Sequence, residues 1–150
     1  MNRDSRLSLA LHVLLHMREM DGPVTSETLG SMMETNPVVI RRTLGGLRDA
    51  GIVAAGKGHG GGWSLAAGLE NVSLADVYES LGPTSAFGIG LREATPRCPL
   101  EREVNRAMGD ALAEAEAHLM ERFRTVKVAD LLKKASKEKN DHARRHQRVR

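Results

Sequence analysis

The sequence is poor in aromatic side chains, which make up 3% of its 150 residues. Proteins that hold single-stranded nucleic acid without sequence preference stack the bases on aromatic rings, so this mode of recognition is disfavoured. The hydrophobic fraction is nevertheless 41%, which is enough for the core of one ordinary domain. We therefore expect a core built from Leu, Val, Ile, Met and Ala.

Cysteine is almost absent, and long apolar runs are absent. Cys98 is the only cysteine, so one chain can form neither an internal disulfide nor a four-cysteine zinc site. No apolar run is long enough to span a membrane. The apolar N-terminal stretch contains charged residues and histidines, and no cleavage site of small residues follows it. This stretch is therefore predicted to be a helix of a cytoplasmic protein rather than a signal peptide.

The excess of positive charge is small and unevenly distributed. The net charge is +3 for the whole chain, +1 for residues 1–66, −4 for residues 67–126 and +6 for residues 127–150. Most of the basic excess thus lies at the C-terminal end. Such a tail can attract phosphate non-specifically or simply aid solubility. Net charge alone does not establish nucleic-acid binding.

The most informative stretch is residues 36–66. Asn36 is a favourable N-cap, and Pro37 suits the first position of a helix. Apolar residues then recur at a helical spacing that predicts one buried face, and they are Ile40, Leu44 and Leu47. The arginines of this helix fall on its other faces. Gly51 is predicted to end the helix in a left-handed conformation.

A small hairpin is predicted to follow this helix. Residues 52–57 and 63–66 can pair as strands around a glycine-rich tip at 58–62. A short helix capped by Thr25 precedes the whole unit, and a tight turn joins it to the basic helix. Two such helices followed by a hairpin indicate a winged helix-turn-helix. The tip lacks the pattern of a phosphate-binding P-loop and is followed by a strand, which disfavours a nucleotide site.

The second half of the chain is predicted to be helical. Ser73 caps a short helix, residues 83–97 form a loop, and a helix of roughly 40 Å begins near Pro99. One small domain cannot bury the whole apolar stripe of this helix, so we expect the same helix of a second subunit to cover it. The alternative is that the helix folds back onto its own domain. The predicted interface residues are Leu100, Val104, Met108, Ala111, Leu112, Ala115 and Leu119.

These elements together predict a mainly α fold, with a winged helix-turn-helix domain and a long dimerisation helix. The predicted divisions are a DNA-binding domain over 1–82, a loop over 83–97, dimerisation helices over 98–136 and a basic disordered tail over 137–150.

Four segments carry a resemblance to a known family: SLALHVLLHM, TSETLGSMMETNPVVIRRTLGGLRDAGIV, GKGHGGGWSLA and VSLADVYESLG. Together, over about residues 1–126, the chain resembles the bacterial Rrf-two family of winged-helix transcription regulators. The glycine-rich wing pattern is the most specific part of the match. The resemblance implies a cytoplasmic homodimer that places one recognition helix per subunit in a major groove and one wing in the adjoining minor groove. It also implies that Arg41 occupies a base-contacting position.

One departure from the family concerns its cofactor. Cluster-binding members carry three cysteines before the dimer helix, whereas this chain has Cys98 alone. We therefore expect neither an iron–sulfur cluster nor another cofactor. The arrangement resembles cluster-free members associated with sensing of oxidants or electrophiles. Cys98 can accordingly be a sensor thiol, an inert structural cysteine, or a ligand to a metal shared across the dimer.

The candidate DNA contacts come from three places. Arg41 and Arg42 lie where a recognition helix reaches base edges, and the alternative is that they contact phosphate only. Thr25, Ser26, Asn36 and Arg48 are expected at the DNA backbone. The wing contributes Lys57, His59, Gly60 and Gly61, and Val38 completes the set. His12 and His16 are spaced as a possible metal pair, but packing or surface roles are commoner and no metal site is predicted.

The function predicted from these features is a sequence-specific, homodimeric DNA-binding transcription regulator, more specifically a repressor. Its signal is expected to act through Cys98 or through a small ligand between the winged domain and the dimer helix. The alternative is a winged-helix protein-interaction module without specific DNA binding, which the low charge of residues 1–66 favours. An enzyme is disfavoured because no acid–base pair or nucleophile triad can be assembled.

Overall fold

The computed structural model describes residues 5–66, 68–82, 87 and 97–147, with side chains described as far as residue 138. Within these residues the elements are α1 (Arg6–Glu19), α2 (Ser26–Met32), α3 (Pro37–Asp49), β1 (Val53–Gly56), β2 (Gly62–Leu65), α4 (Leu74–Ser80), α5 (Pro99–Thr125) and α6 (Val128–Gln147). This order confirms the predicted mainly α fold with a winged helix-turn-helix. None of the described helices is both long enough and apolar enough to cross a membrane.

The core lies where α1, α2 and α3 meet, and it is closed by α4 and the base of the hairpin. Its largest fully buried side chains are aliphatic, as the composition predicts: Leu14, Leu29, Ile40, Leu44, Leu47, Leu69, Val13, Val53, Val77 and Val128. The predicted stripe of α3 is thus buried completely. Burying each such side chain contributes about 1.5–3 kcal/mol, so the stripe fixes the orientation of α3.

The predicted helix ends are confirmed in atomic detail. The Oγ1 atom of Thr25 accepts a hydrogen bond of 3.1 Å from the N–H of Thr28 at the start of α2. Asn36 caps α3 by accepting from the N–H of Val38 at 2.8 Å. Gly51 ends α3 with a φ of 73°, a conformation that strongly favours glycine. Caps of this kind each contribute about 1 kcal/mol.

The hairpin is attached to the linker between α1 and α2. Strands β1 and β2 are antiparallel, with register from Val53 opposite Leu65 to Gly56 opposite Gly62. Beyond the sheet, the N–H of Val24 donates to the carbonyl of Trp63 at 2.9 Å, and the N–H of Trp63 donates back at 2.8 Å. This pair of hydrogen bonds fixes the base of the hairpin against the helical core.

Two neighbouring glycines of α3 lie in opposite environments. A Cβ atom added to Gly46 would lie 2.3 Å from the carbonyl oxygen of Ser80 in α4, whereas a Cβ on Gly45 would have nothing within 4 Å. We expect Gly46→Ala to lower the free energy of unfolding by about 2 kcal/mol through overpacking. Gly45→Ala should raise it by about 0.5–1 kcal/mol, since alanine loses less backbone entropy. Urea unfolding of both variants measures this, and equal effects would contradict the close approach of α3 and α4.

The long helix α5 contacts the winged domain through its C-terminal half. The rings of Tyr78 and Phe123 meet edge to face with centroids 6.1 Å apart. The hydroxyl of Tyr78 donates to Glu116 at 3.2 Å, and Arg124 pairs with Glu79 at 3.4 Å. These contacts fix the direction in which α5 leaves the winged domain.

Helix α6 corrects two expectations. Its first residue, Val128, is fully buried in the core of the winged domain, so this turn belongs to that domain rather than only to a dimerisation unit. The helix continues to Gln147, and the predicted disorder from residue 137 is therefore wrong for residues 137–147. The physical reason is that this segment contains no glycine or proline and is rich in the strong helix formers Lys, Glu, Ala, Arg and Gln. Of the predicted loop at 83–97, only Phe87 and Arg97 fall within the described residues.

Candidate nucleic-acid interface

Opposite its buried stripe, helix α3 exposes a face that carries both charged and apolar side chains. Val38, Arg41 and Arg42 are all exposed on this face. They lie in the first two turns, which are the part of a recognition helix that meets base edges. A helix with this profile fits a major groove, which is about 12 Å wide. The structure thus brings the predicted base-contacting residues together on one surface.

The two arginines of this face differ in their surroundings. The guanidinium of Arg41 forms an ion pair with the carboxylate of Glu27 in α2, and both side chains are more than half exposed. Arg42 has no hydrogen bond or ion pair with any residue that the structure describes. Glu27 was not among the residues predicted from the sequence, because its pairing with Arg41 depends on how α2 and α3 cross. The site therefore offers one arginine that is paired within the subunit and one that has no pairing partner among the described residues.

The residues predicted to contact the DNA backbone separate into three groups. Thr25 and Asn36 are exposed at the starts of α2 and α3, although their side-chain oxygens accept the capping hydrogen bonds. Arg48 is exposed and pairs with Asp49 at 2.9 Å. Ser26 is only 5% exposed, and its hydroxyl accepts a hydrogen bond of 2.9 Å from the indole N–H of Trp63.

The contact of Ser26 with the DNA backbone stays a prediction. Its side chain joins α2 to β2 and helps to position the hairpin. Trp63 also packs against the core. A sequence signal for the bond between these residues is lacking, since they lie 37 positions apart.

The tip of the hairpin is narrow. Gly58 and Gly60 have φ angles of 80° and 76°, and the N–H of Gly61 donates to the carbonyl of Gly58 at 3.0 Å. A Cβ on Gly61 would lie 2.8 Å from the carbonyl oxygen of Gly56, so the turn requires glycine there. Between residues 57 and 61 only Lys57 and His59 are not glycine, and both of these side chains are exposed. Because three of these five residues are glycine, the tip is slim enough to enter a minor groove, which is about 6 Å wide.

The predicted sensor, Cys98, is exposed and occupies the N-cap position of α5. Its side chain makes no capping hydrogen bond, whereas its carbonyl accepts from the N–H of Arg102 at 3.1 Å. Cys98 is thus accessible to solvent at the start of the long helix. No contact with a described residue distinguishes a sensor thiol from an inert one, so the role of Cys98 stays a prediction.

The predicted dimer surface is largely uncovered in one chain. Leu100 and Val104 are 78% and 55% exposed, and Ala111 and Ala115 are exposed as well. Met108, Leu112 and Leu119 are half-buried. The folding-back alternative is supported for the C-terminal half of α5, where Met120 is buried.

Comparison with known proteins adds to this geometry. The model of the Rrf2 family, described as an iron-dependent transcriptional regulator, matches residues 3–134 of the chain. The protein belongs to the Rrf2 family. This confirms the resemblance seen in the sequence and, with the winged fold, the predicted function as a DNA-binding transcription regulator. The alternative of an interaction module keeps only the low charge of residues 1–66 in its favour.

This Rrf2 protein is similar to several others along almost its whole length. It is 26% identical over 129 residues to YwnA of Bacillus subtilis (strain 168), whose name places it among HTH-type transcriptional regulators, and the match covers 86% of this chain and 96% of YwnA. Its fold matches a structure from Lactobacillus plantarum described as a transcriptional regulator, with a TM-score of 0.73, 23% identity and coverage of 97% and 98%. It also matches CymR (YrzC) of B. subtilis, the global cysteine regulator, with a TM-score of 0.57, 19% identity and coverage of 89% and 97%.

The described residues of this Rrf2 protein do not fit the iron in the family's description. Cys98 is the only cysteine. No group of three or more His, Cys, Asp or Glu residues that could hold a metal exists within the described part of one chain. The Nε2 atoms of His12 and His16 do approach to 3.2 Å, but they form a pair only. We therefore derive no step of the function through a metal.

Proposed function

We propose that this Rrf2 protein is a homodimeric repressor that binds a roughly palindromic operator in the cytoplasm. Helix α3 of each subunit lies in a major groove, and the hairpin tip at residues 57–61 lies in the adjoining minor groove. The observation that carries the proposal is the solvent face of α3, where two arginines flank an exposed Val38. Arginine can bridge the O6 and N7 atoms of guanine, which gives discrimination of about 1–3 kcal/mol for each base pair.

Charge supports the need for two copies. Residues 1–66 have a net charge of only +1, and two of their arginines pair with carboxylates of the same chain. One copy can therefore neutralise few phosphates, and its affinity for DNA should be low. Two linked copies gain affinity because the second half-site is bound as an intramolecular event.

The uncovered stripe on α5 supplies the contact between the copies. Large apolar side chains such as Leu100 are unfavourable in water and mark an interaction surface when they are contiguous. A two-fold axis that crosses α5 buries this stripe against its own equivalent. It also sets the two copies of α3 at a fixed spacing, which should equal one turn of DNA, about 34 Å, or a multiple of it.

The signal for the repressor is proposed to enter at Cys98, because this thiol is exposed at the start of the dimer helix. A modification there would change the packing of α5 and hence the spacing of the recognition helices. The alternative route for the signal is a small ligand bound between the winged domain and α5.

Selection from random duplex DNA tests the proposed function. The purified full-length protein should enrich a sequence with two inverted half-sites, and the double variant Arg41→Ala/Arg42→Ala should enrich none. The matched control is Arg106→Ala, which removes an exposed arginine on α5 that pairs with Glu103; this variant should enrich the same sequence. Failure of the unmodified protein to enrich any sequence would contradict specific DNA binding.

A further inference from the structure

A branched apolar side chain lies at the centre of the solvent face of α3. Val38 is 54% exposed. Because each residue advances a helix by about 100°, Arg41 and Arg42 lie on either side of Val38, and Gly45 lies two turns further along the same line. The exposed apolar pair on α5, Leu100 and Val104, belongs to the proposed dimer contact. Among the residues that the structure describes, Val38 has no such partner in its own subunit.

The structure holds Val38 rigidly at this place. Its N–H donates to the N-cap side chain of Asn36 at 2.8 Å, which fixes the backbone. A β-branched side chain in a helix has essentially one preferred rotamer, so the two methyl groups point in a defined direction. This is an arrangement for contacting a small apolar group rather than for covering a broad surface.

Gly45 is a second, independent observation on the same face. A Cβ at this position would have nothing within 4 Å in the described structure, so packing inside the subunit does not require glycine here. Glycine in a helix costs about 0.5–1 kcal/mol relative to alanine. The absence of a side chain allows this face to approach another surface closely. The surface must also suit the flanking guanidinium groups, and the major groove of DNA does.

We propose that Val38 contacts the 5-methyl group of a thymine in each half-site of the operator. This inference rests on the proposed function, since it requires α3 to lie in the major groove. The thymine methyl is the apolar group that the major groove presents at base edges, and apolar side chains recognise it there. Arg41 and Arg42 then read neighbouring positions, and Val38 discriminates between thymine and cytosine, which lacks the methyl.

Single replacements of thymine by deoxyuridine test this contact, because they remove only the methyl group. Each thymine of the selected operator is replaced in turn, symmetrically in both half-sites, and affinity is measured by fluorescence anisotropy. At one position the replacement should weaken binding of the unmodified protein about fourfold for each methyl. Val38→Ala should bind the thymine operator more weakly than the unmodified protein does. Replacing the thymine by deoxyuridine should then cause no further loss of affinity for this variant.

Val39→Ala is the matched control. Val39 is also exposed, but it lies about 100° around the helix from Val38. The deoxyuridine replacement should weaken binding of this variant by the same factor as it weakens binding of the unmodified protein. Partial unfolding of a variant does not change the ratio of its affinities for the two DNAs, because both are measured on the same protein preparation.

Two results would overturn the inference. In the first, no thymine replacement weakens binding. In the second, the replacement weakens binding of Val38→Ala by the same factor as it weakens binding of the unmodified protein. Both leave specific binding to the operator intact, so they reject the methyl contact alone. If no operator can be selected at all, the proposed function fails first, and this inference fails with it.

Discussion

Replacement of Val104 by glutamate is expected to separate the dimer and to weaken operator binding by at least about 100-fold, since linkage of two sites contributes that much or more. Val104 is 55% exposed in one chain and lies in the stripe that we assign to the partner's α5. In the dimer two glutamates would lie near the two-fold axis, where burial of unpaired charge is strongly unfavourable. Affinity for an isolated half-site should change little, because the residue is outside the winged domain.

Sedimentation velocity and anisotropy with operator and half-site duplexes measure these effects. The matched control is Ala117→Glu, which adds the same charge to an exposed position on another side of α5. It should remain dimeric and bind the operator normally. A Val104→Glu protein that still sediments as a dimer would contradict the assignment of the interface.

Arg41→Ala is expected to weaken operator binding about 10- to 100-fold and to weaken binding to random DNA much less. The reason is that a bidentate contact to guanine exists only on the operator, whereas a phosphate contact exists on any DNA. Arg106→Ala controls for the loss of a paired, exposed arginine. Equal losses on operator and random DNA would show that Arg41 contacts phosphate alone.

Glu27→Gln separates the position of Arg41 from its charge. The carboxylate of Glu27 holds the guanidinium in the free protein, and the amide would hold it more weakly. We expect the variant to bind random DNA more tightly, because each subunit loses a negative charge near the DNA. Its preference for the operator over random DNA should fall. An unchanged preference, measured by anisotropy at the same salt concentration, would mean that Glu27 does not position Arg41.

Features that depend on short stretches of chain were predictable. The cap at Asn36 and the stop at Gly51 follow from the conformational preferences of single residues, and the buried stripe of α3 follows from its spacing. The turn of the hairpin follows from its glycines. The two strands and the starts of α3, α4 and α5 therefore lie within one residue of the predicted positions, whereas α6 extends beyond the predicted limit at residue 136. Low hydrophobicity suggested disorder from residue 137, but this segment lacks glycine and proline and is rich in strong helix formers, and the helix continues to Gln147.

Features that depend on distant residues meeting in space were not predictable. The hydrogen bond between Ser26 and Trp63 and the ion pair between Glu27 and Arg41 both require the crossing of α2 with its neighbours. The burial of the Ser26 side chain and the position of Glu27 were consequently not foreseen. The contact of Gly46 with Ser80 and the burial of Val128 likewise join parts of the chain that no local pattern connects.

Two copies joined through α5 are proposed to read two half-sites with α3. The decisive measurement is native mass spectrometry of the complex with the selected operator, combined with hydroxyl-radical footprinting. We expect two chains for each duplex and two protected regions related by two-fold symmetry, with centres about 34 Å apart or a multiple of that distance. A complex with one chain for each duplex, or a protected region without two-fold symmetry, would contradict it.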